Sequence, residues 1–105
     1  KRSEQVLYLR LCLHSATNLA SADVASLSDP YVDVKFQNKE HKTKVIDNSL
    51  NPVWEDLWET EFRDGSSNEL LLTVYDKDTL SANDPLGNVT IKVPFEPSKV
   101  KREVL

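Results

Sequence analysis

Hydrophobic and polar residues alternate with a period of two along most of this 105-residue chain, the mark of strands with one buried face. From Val6 to His14, Leu7, Leu9, Leu11 and Leu13 fall on one side and Tyr8, Arg10, Cys12 and His14 on the other. Tyr31 to Gln37 repeats the pattern, with Val32, Val34 and Phe36 inward and Tyr31, Asp33, Lys35 and Gln37 outward. A turn at Asn38, Lys39 and Glu40 leads into His41 to Ile46, where Thr43 and Val45 face in while Lys42 and Lys44 face out. Trp54, Trp58, Thr60 and Phe62 keep one parity against Glu55, Leu57, Glu59 and Glu61, and tryptophans so spaced read as core rather than as a ligand cage. An apolar strand from Glu69 to Tyr75 follows, then a sixth at Val89, Ile91 and Val93, and Arg102 to Leu105 offers a short seventh. Turn signals separate the runs, at Asn48 to Pro52, Arg63 to Ser67 and Pro94 to Pro97. Short strands in this number, with no amphipathic helix, predict an all-β antiparallel sandwich.

Length and composition keep that picture to a single domain over residues 1–105, large enough to bury about 60–65% of its unfolded surface. A formal net charge of −4 argues against nucleic acid as a partner of the whole molecule. The single cysteine, Cys12, leaves no intrachain disulfide and fits a reducing, cytoplasmic compartment. Together with His14 it reads as a surface group without a partner. No apolar run approaches about 18 residues, and Lys1 to Gln5 is not a signal peptide, so no membrane span is expected in these residues. Asn88-Val-Thr90 fits the N-glycosylation sequon, but within a strand of a chain whose cysteine usage points indoors. Lys35, Lys39, Lys42 and Lys44 share one hairpin, and form either a basic patch or the soluble coat of an exposed sheet.

The chemistry concentrates in acidic residues. Asp76, Asp78 and Asp84 fall within nine residues, the first two at a strand end where a period of two turns them the same way. If the intervening segment doubles back, Asp84 rejoins them. Asp23 and Asp29 repeat the spacing of Asp78 and Asp84, and each pair ends in Asp-Pro. Four strands of alternating direction between the two loops put both at one end of a sandwich, so five carboxylates converge. A pair of carboxylates about 5 Å apart repels by about 3 kcal/mol at an effective dielectric of about 20. A cation is therefore expected among them, and the oxygen-rich set suits calcium, which takes about 6–8 oxygens. Solvated Asp-rich turns are the plainer alternative. An EF-hand loop is excluded: counted from Asp76, Leu80, Ser81 and Gly87 stand where an oxygen ligand, glycine and glutamate are needed. An aspartyl nucleophile after a strand needs a larger α/β scaffold. No general base, nucleophile elbow or phosphate-cradling glycine loop accompanies these acids, so an enzyme is not expected.

Taken in order, Asp23-x5-Asp29-Pro-Tyr-Val32, Lys42-Thr-Lys44, Asn51-Pro-Val-Trp54 and Asp76-x-Asp78-x5-Asp84 with Leu86-Gly87 resemble the C2 domain. This is the calcium- and lipid-binding module of the protein kinase C, synaptotagmin and ferlin type, and the likeness runs from Val6 to Val93. The resemblance implies an eight-strand-type Greek-key sandwich that binds two or three Ca2+ ions and then an anionic phospholipid membrane. It assigns metal binding to Asp23, Asp29, Asp76, Asp78 and Asp84, to backbone carbonyls at Val24 and Lys77, and to Ser81. Lipid contacts map to Tyr31, Lys42, Lys44, Tyr75 and Asn83, the set used for a phosphoinositide, while Val24, Leu27 and Leu80 are the apolar loop tips. Asp33 stands where lipid-binding members usually carry lysine, a reversed charge beside that pocket. Ala25 and Ser26 replace glycines of the first loop, which restricts it. The strand order resembles the family's second topology, with the final strand expected to be missing from the chain. A sheet edge near the termini is then open, or covered by a protein partner or a swapped strand. The implied function is Ca2+-dependent recruitment of a parent protein from the cytoplasm to membranes; the alternative is a Ca2+-independent protein-interaction scaffold.

Overall fold

The computed structural model describes residues 6–19, 28–63, 68–77 and 84–93, the side chain of Asp84 excepted. Within them lie six strands: β1 Val6–Ser15, β2 Pro30–Phe36, β3 Lys39–Lys42, β4 Val53–Arg63, β5 Glu69–Asp76 and β6 Asp84–Lys92. All pairings are antiparallel, and they build two sheets, β1-β4 and β3-β2-β5-β6. The all-β sandwich expected from the alternation is what forms.

The inward parities meet as one core. From the first sheet come Leu7, Leu13, Trp54 and Phe62; from the second, Val32, Val34, Phe36, Leu70, Leu72, Val74 and Ile91. Register explains the match, since Val32 lies opposite Val74, Val34 opposite Leu72 and Phe36 opposite Leu70. Phe36 meets Phe62 edge-on across the sandwich, centroids 5.2 Å apart at 72°. Burial of each such side chain contributes about 1.5–3 kcal/mol, so this layer of facing residues is what holds the sheets together.

Four local features depart from the sequence expectation, each for a physical reason. β3 ends at Lys42 rather than Ile46. Beyond it the Thr43 hydroxyl accepts the Val32 N–H at 2.9 Å, so a side chain has taken an acceptor's place in the ladder. β6 begins at Asp84 rather than Val89; its Pro85 is accommodated at a register shift beside Val74 and Tyr75, where a bulge releases the ladder. Tyr31 and Asp33 face outward by parity but are buried, 8% and 5% exposed. β2 is flanked by β3 and β5, and Tyr75 stacks on Tyr31 with centroids 5.6 Å apart. His14 has a partner after all: its Nδ1 lies 3.7 Å from Glu55 Oε1. There β1 and β4 shift register between Leu13 and Ser15, and Glu55 takes the left-handed conformation at φ 48°.

Cys12 is exposed, as expected. Among the described residues β1 pairs with β4 alone, while Arg102 to Leu105 lie outside them.

Candidate metal centre

One end of the four-stranded sheet is built by pairing acidic residues across strands. Pro30, the first residue of β2, lies opposite Asp76, the last of β5, and Asp76 lies opposite Asp84, the first of β6. Neighbouring strands run about 4.8 Å apart. The backbone at Asp29, Asp76 and Asp84 is therefore gathered across three adjacent strands. Asp84 does return to lie opposite Asp76, as the spacing called for, while residues 78–83 between them lie outside the described residues.

Backbone amides hold the two described carboxylates. The Asp29 N–H donates to Asp76 Oδ1 at 2.8 Å, and the Lys77 N–H donates back to the Asp29 carbonyl at 3.0 Å. Asp29 Oδ1 accepts the Asn48 N–H at 2.7 Å. A carboxylate accepting a backbone N–H makes a short, charge-assisted bond that fixes its rotamer. No ion pair among the described residues involves Asp29 or Asp76. Their negative charge is thus oriented but not cancelled by a neighbouring Lys, Arg or His, a donor set that fits a hard, oxygen-seeking cation.

The segment that supplies Asn48 is itself strapped to the site. Ser49 N–H reaches the Ser28 carbonyl at 2.8 Å, Ile46 N–H reaches the Pro30 carbonyl at 3.0 Å, and Leu19 N–H reaches the Leu50 carbonyl at 3.0 Å. Trp54 Nε1 donates to the Pro30 carbonyl at 3.2 Å. The turn signal at Asn48 to Pro52 is thus a buttress beneath Asp29. Sequence reasoning missed that role because a backbone donor leaves no residue-type signature.

Of the other residues assigned to the metal, Asp23, Asp78, Val24 and Ser81 lie outside the described residues, and Asp84 is described by its backbone alone. No trio of His, Cys, Asp or Glu suited to an ion occurs among the described residues, which include just two of the five aspartate side chains.

The residues assigned to lipid divide in the same way. Leu27, Leu80 and Asn83 lie outside the described residues, as does Val24. Tyr31 and Tyr75 stack on each other, and Lys42 and Lys44 are exposed on the β2-β3 side of the molecule. Yet Lys42 stands opposite Asp33, and Lys35 opposite Glu40. Burial first, then the hydrogen bond and charge of Glu40, push the Asp33 carboxyl above the ordinary carboxylate value, against the pull of Lys35 and Lys42. The hairpin lysines, read from spacing as either a basic patch or a soluble coat, are interleaved with acids. Elsewhere, His41 Nε2 contacts Asp56 Oδ2 at 2.6 Å and its ring stacks on Trp58, tying β3 to β4.

Comparison with known proteins matches the family described as C2 domain to residues 7–104. Multiple C2 domain and transmembrane region protein 6 of Arabidopsis thaliana is 36% identical over 92% of this chain, which spans 9% of that protein. Among solved structures, human GIVD cytosolic phospholipase A2 superposes with a TM-score of 0.82 at 26% identity, over 89% of this chain and 13% of that one. The paired C2 domains of Extended-Synaptotagmin 2, solved with calcium bound, give a TM-score of 0.75 at 27% identity, over 81% of this chain and 34% of that one. This chain therefore spans about a third or less of each of these relatives.

Proposed function

The chain belongs to the C2 domain family, and from that premise we propose that it is a Ca2+-dependent module carrying its parent protein onto anionic phospholipid membranes. Membrane binding in the general sense is what the family supports; the calcium requirement is the finer part of the reading. The observation that supports it is the strand register drawing Asp29, Asp76 and Asp84 to one sheet end, with backbone amides already orienting two of the carboxylates.

In this reading Asp23, Asp29, Asp76, Asp78 and Asp84, the carbonyls of Val24 and Lys77, and Ser81 hold two or three ions. Calcium, when bound, supplies positive charge and coordination positions open to lipid phosphate oxygens. The protein's own part is to keep the acids close. Left uncompensated they repel a leaflet at about −30 mV, and no Lys or Arg lies between Asp78 and Asp84 to soften that. Val24, Leu27 and Leu80 add shallow insertion at about 25 cal/mol per Å². With shells left incomplete by the protein, affinity for calcium alone is on the order of 10⁻⁶–10⁻⁴ M and tightens with lipid by reciprocity. The module is peripheral and cytoplasmic in this reading and catalyses nothing. No helix among the described residues is long and apolar enough to cross a membrane. An inositol-lipid contact at Tyr31, Lys42, Lys44, Tyr75 and Asn83 is weakened in this reading, because Asp33 and Glu40 lie opposite Lys42 and Lys35.

Vesicle sedimentation in calcium and in chelator tests the reading. Binding that needs calcium and disappears in Asp76→Asn is expected. Equal binding in chelator, or none, favours the protein-docking scaffold, for which Tyr8, Val53 and Leu57, exposed by 78%, 51% and 47% on β1 and β4, are the observation.

A further inference from the structure

Past Lys42 the chain keeps running beside β2. The Thr43 N–H donates to the Val32 carbonyl and the Ile46 N–H to the Pro30 carbonyl, each at 3.0 Å. Ile46 therefore stands level with the head of β2, and Asp47 is the next residue beyond it. On the other flank of Pro30 stands Asp76, and opposite that Asp84. Across this end of the larger sheet the order is Asp47, Asp29, Asp76, Asp84, an acid on each of four neighbouring runs of chain. Asp47 belongs to none of the motifs that picked out the other three.

Covalent geometry bounds how near Asp47 lies to Asp29. Its carbonyl carbon is bonded to the Asn48 nitrogen, which is 2.7 Å from Asp29 Oδ1. With standard bond lengths the Asp47 Cα is then within about 5 Å of that oxygen, and its carboxyl carbon within about 8 Å. Asp47 is exposed, and its carboxylate makes no ion pair or hydrogen bond among the described residues, with Lys44 and Lys77 included. Its charge is thus free to act on a cation held by its neighbours. At about 8 Å through solvent, one carboxylate changes the affinity for a divalent ion about threefold at about 0.1 M salt, where the Debye length is about 10 Å. At about 1 M that length falls to about 3 Å and the effect vanishes. A coordinating oxygen behaves otherwise, because salt does not screen direct contact with the ion.

We propose that Asp47 is a sixth acid of this pole, placed outside the coordinating set, which raises calcium affinity through its field rather than by ligation. The inference rests on the calcium reading above and extends it to a residue which that reading does not assign.

Titration calorimetry with calcium chloride, run in about 0.1 M and about 1 M KCl, tests it. At the lower salt Asp47→Asn is expected to bind about threefold more weakly than wild type. Asp47→Lys doubles the change in charge and should bind about tenfold more weakly, while Asp47→Glu keeps the charge and should follow wild type. At the higher salt all three should converge on wild type, whereas Asp29→Asn should remain weaker in both. Glu61→Gln, exposed near the far end of β4, should change nothing. Melting in chelator gives a readout that needs no calcium. There Asp47→Asn relieves repulsion and should raise the melting temperature by about 1–3 °C at the lower salt, and not at the higher. Wild-type affinity in Asp47→Asn, a loss that persists in about 1 M KCl, or a melting temperature in chelator that ignores the substitution overturns this proposal and leaves the calcium reading standing. A wild-type chain that binds no calcium overturns both.

Discussion

Asn48 shows how much of the acid end depends on one amide. It sits in the left-handed region at φ 54°, where asparagine is among the few residues at ease, and that conformation aims its N–H at Asp29 Oδ1. Proline here removes the donor and forbids the dihedral. A hydrogen bond to a charged group is worth about 1.5–3 kcal/mol. Asn48→Pro should therefore weaken calcium binding by about tenfold or more, while Asn48→Gly, which keeps the N–H and tolerates the dihedral, should stay within about twofold. Titration calorimetry decides it: unchanged affinity in the proline variant would mean that Asp29 needs no hold from this loop. Nothing in the residue pattern flagged Asn48 beyond its membership of a turn. Asp33 was legible in part. Its outward parity followed from alternation, but its burial did not, because that comes from β3 and β5 on either side.

At the level of elements, period-two alternation revealed the strands that carry unbroken hydrophobic stripes, and it erred where chemistry interrupts the stripe. The start of β6 went unread because Pro85 and Gly87 look like breakers, although the bulge beside Tyr75 absorbs them. The end of β3 went unread because the Thr43 hydroxyl mimics a backbone acceptor. Trp54 joins two elements in a way that spacing alone leaves unspecified: its ring is core, while its Nε1 reaches the Pro30 carbonyl at the head of β2. Trp54→Phe keeps most of the packing and removes one of that carbonyl's two donors, leaving the Ile46 N–H, which should cost about 0.5–1.5 kcal/mol in urea unfolding. Trp54→Ala, which leaves a cavity as well, should cost about 3–5 kcal/mol. If the two variants were equally stable, the ring rather than the hydrogen bond would be irrelevant to the joint.

For the whole molecule, the candidate site is a product of topology. Asp76 and Asp84 are close in sequence, and a doubling-back loop was enough to foresee their meeting. Asp29 reaches them through the pairing of β2 with β5, across 47 residues, and only the count of strand directions hinted at it. Gathering like charges at one pole carries a standing repulsion that a bound cation relieves. Calcium at about 100 times its dissociation constant should stabilise the fold by about 2.7 kcal/mol per site, read as a rise in melting temperature that Asp76→Asn abolishes. A melting curve indifferent to calcium would remove the basis for a metal at this pole.

The contacts that organise this pole run through main-chain amides, those of Asp29, Asn48, Ser49 and Lys77. Serial alanine replacement leaves every one of those donors in place, so a conventional scan would pass over the scaffolding and credit the aspartates alone. Drift at positions 48, 49 and 77 should likewise be silent while the dihedrals survive. Deuterium uptake at these four amides, or a single amide-to-ester exchange, is where the strength of the scaffold becomes measurable.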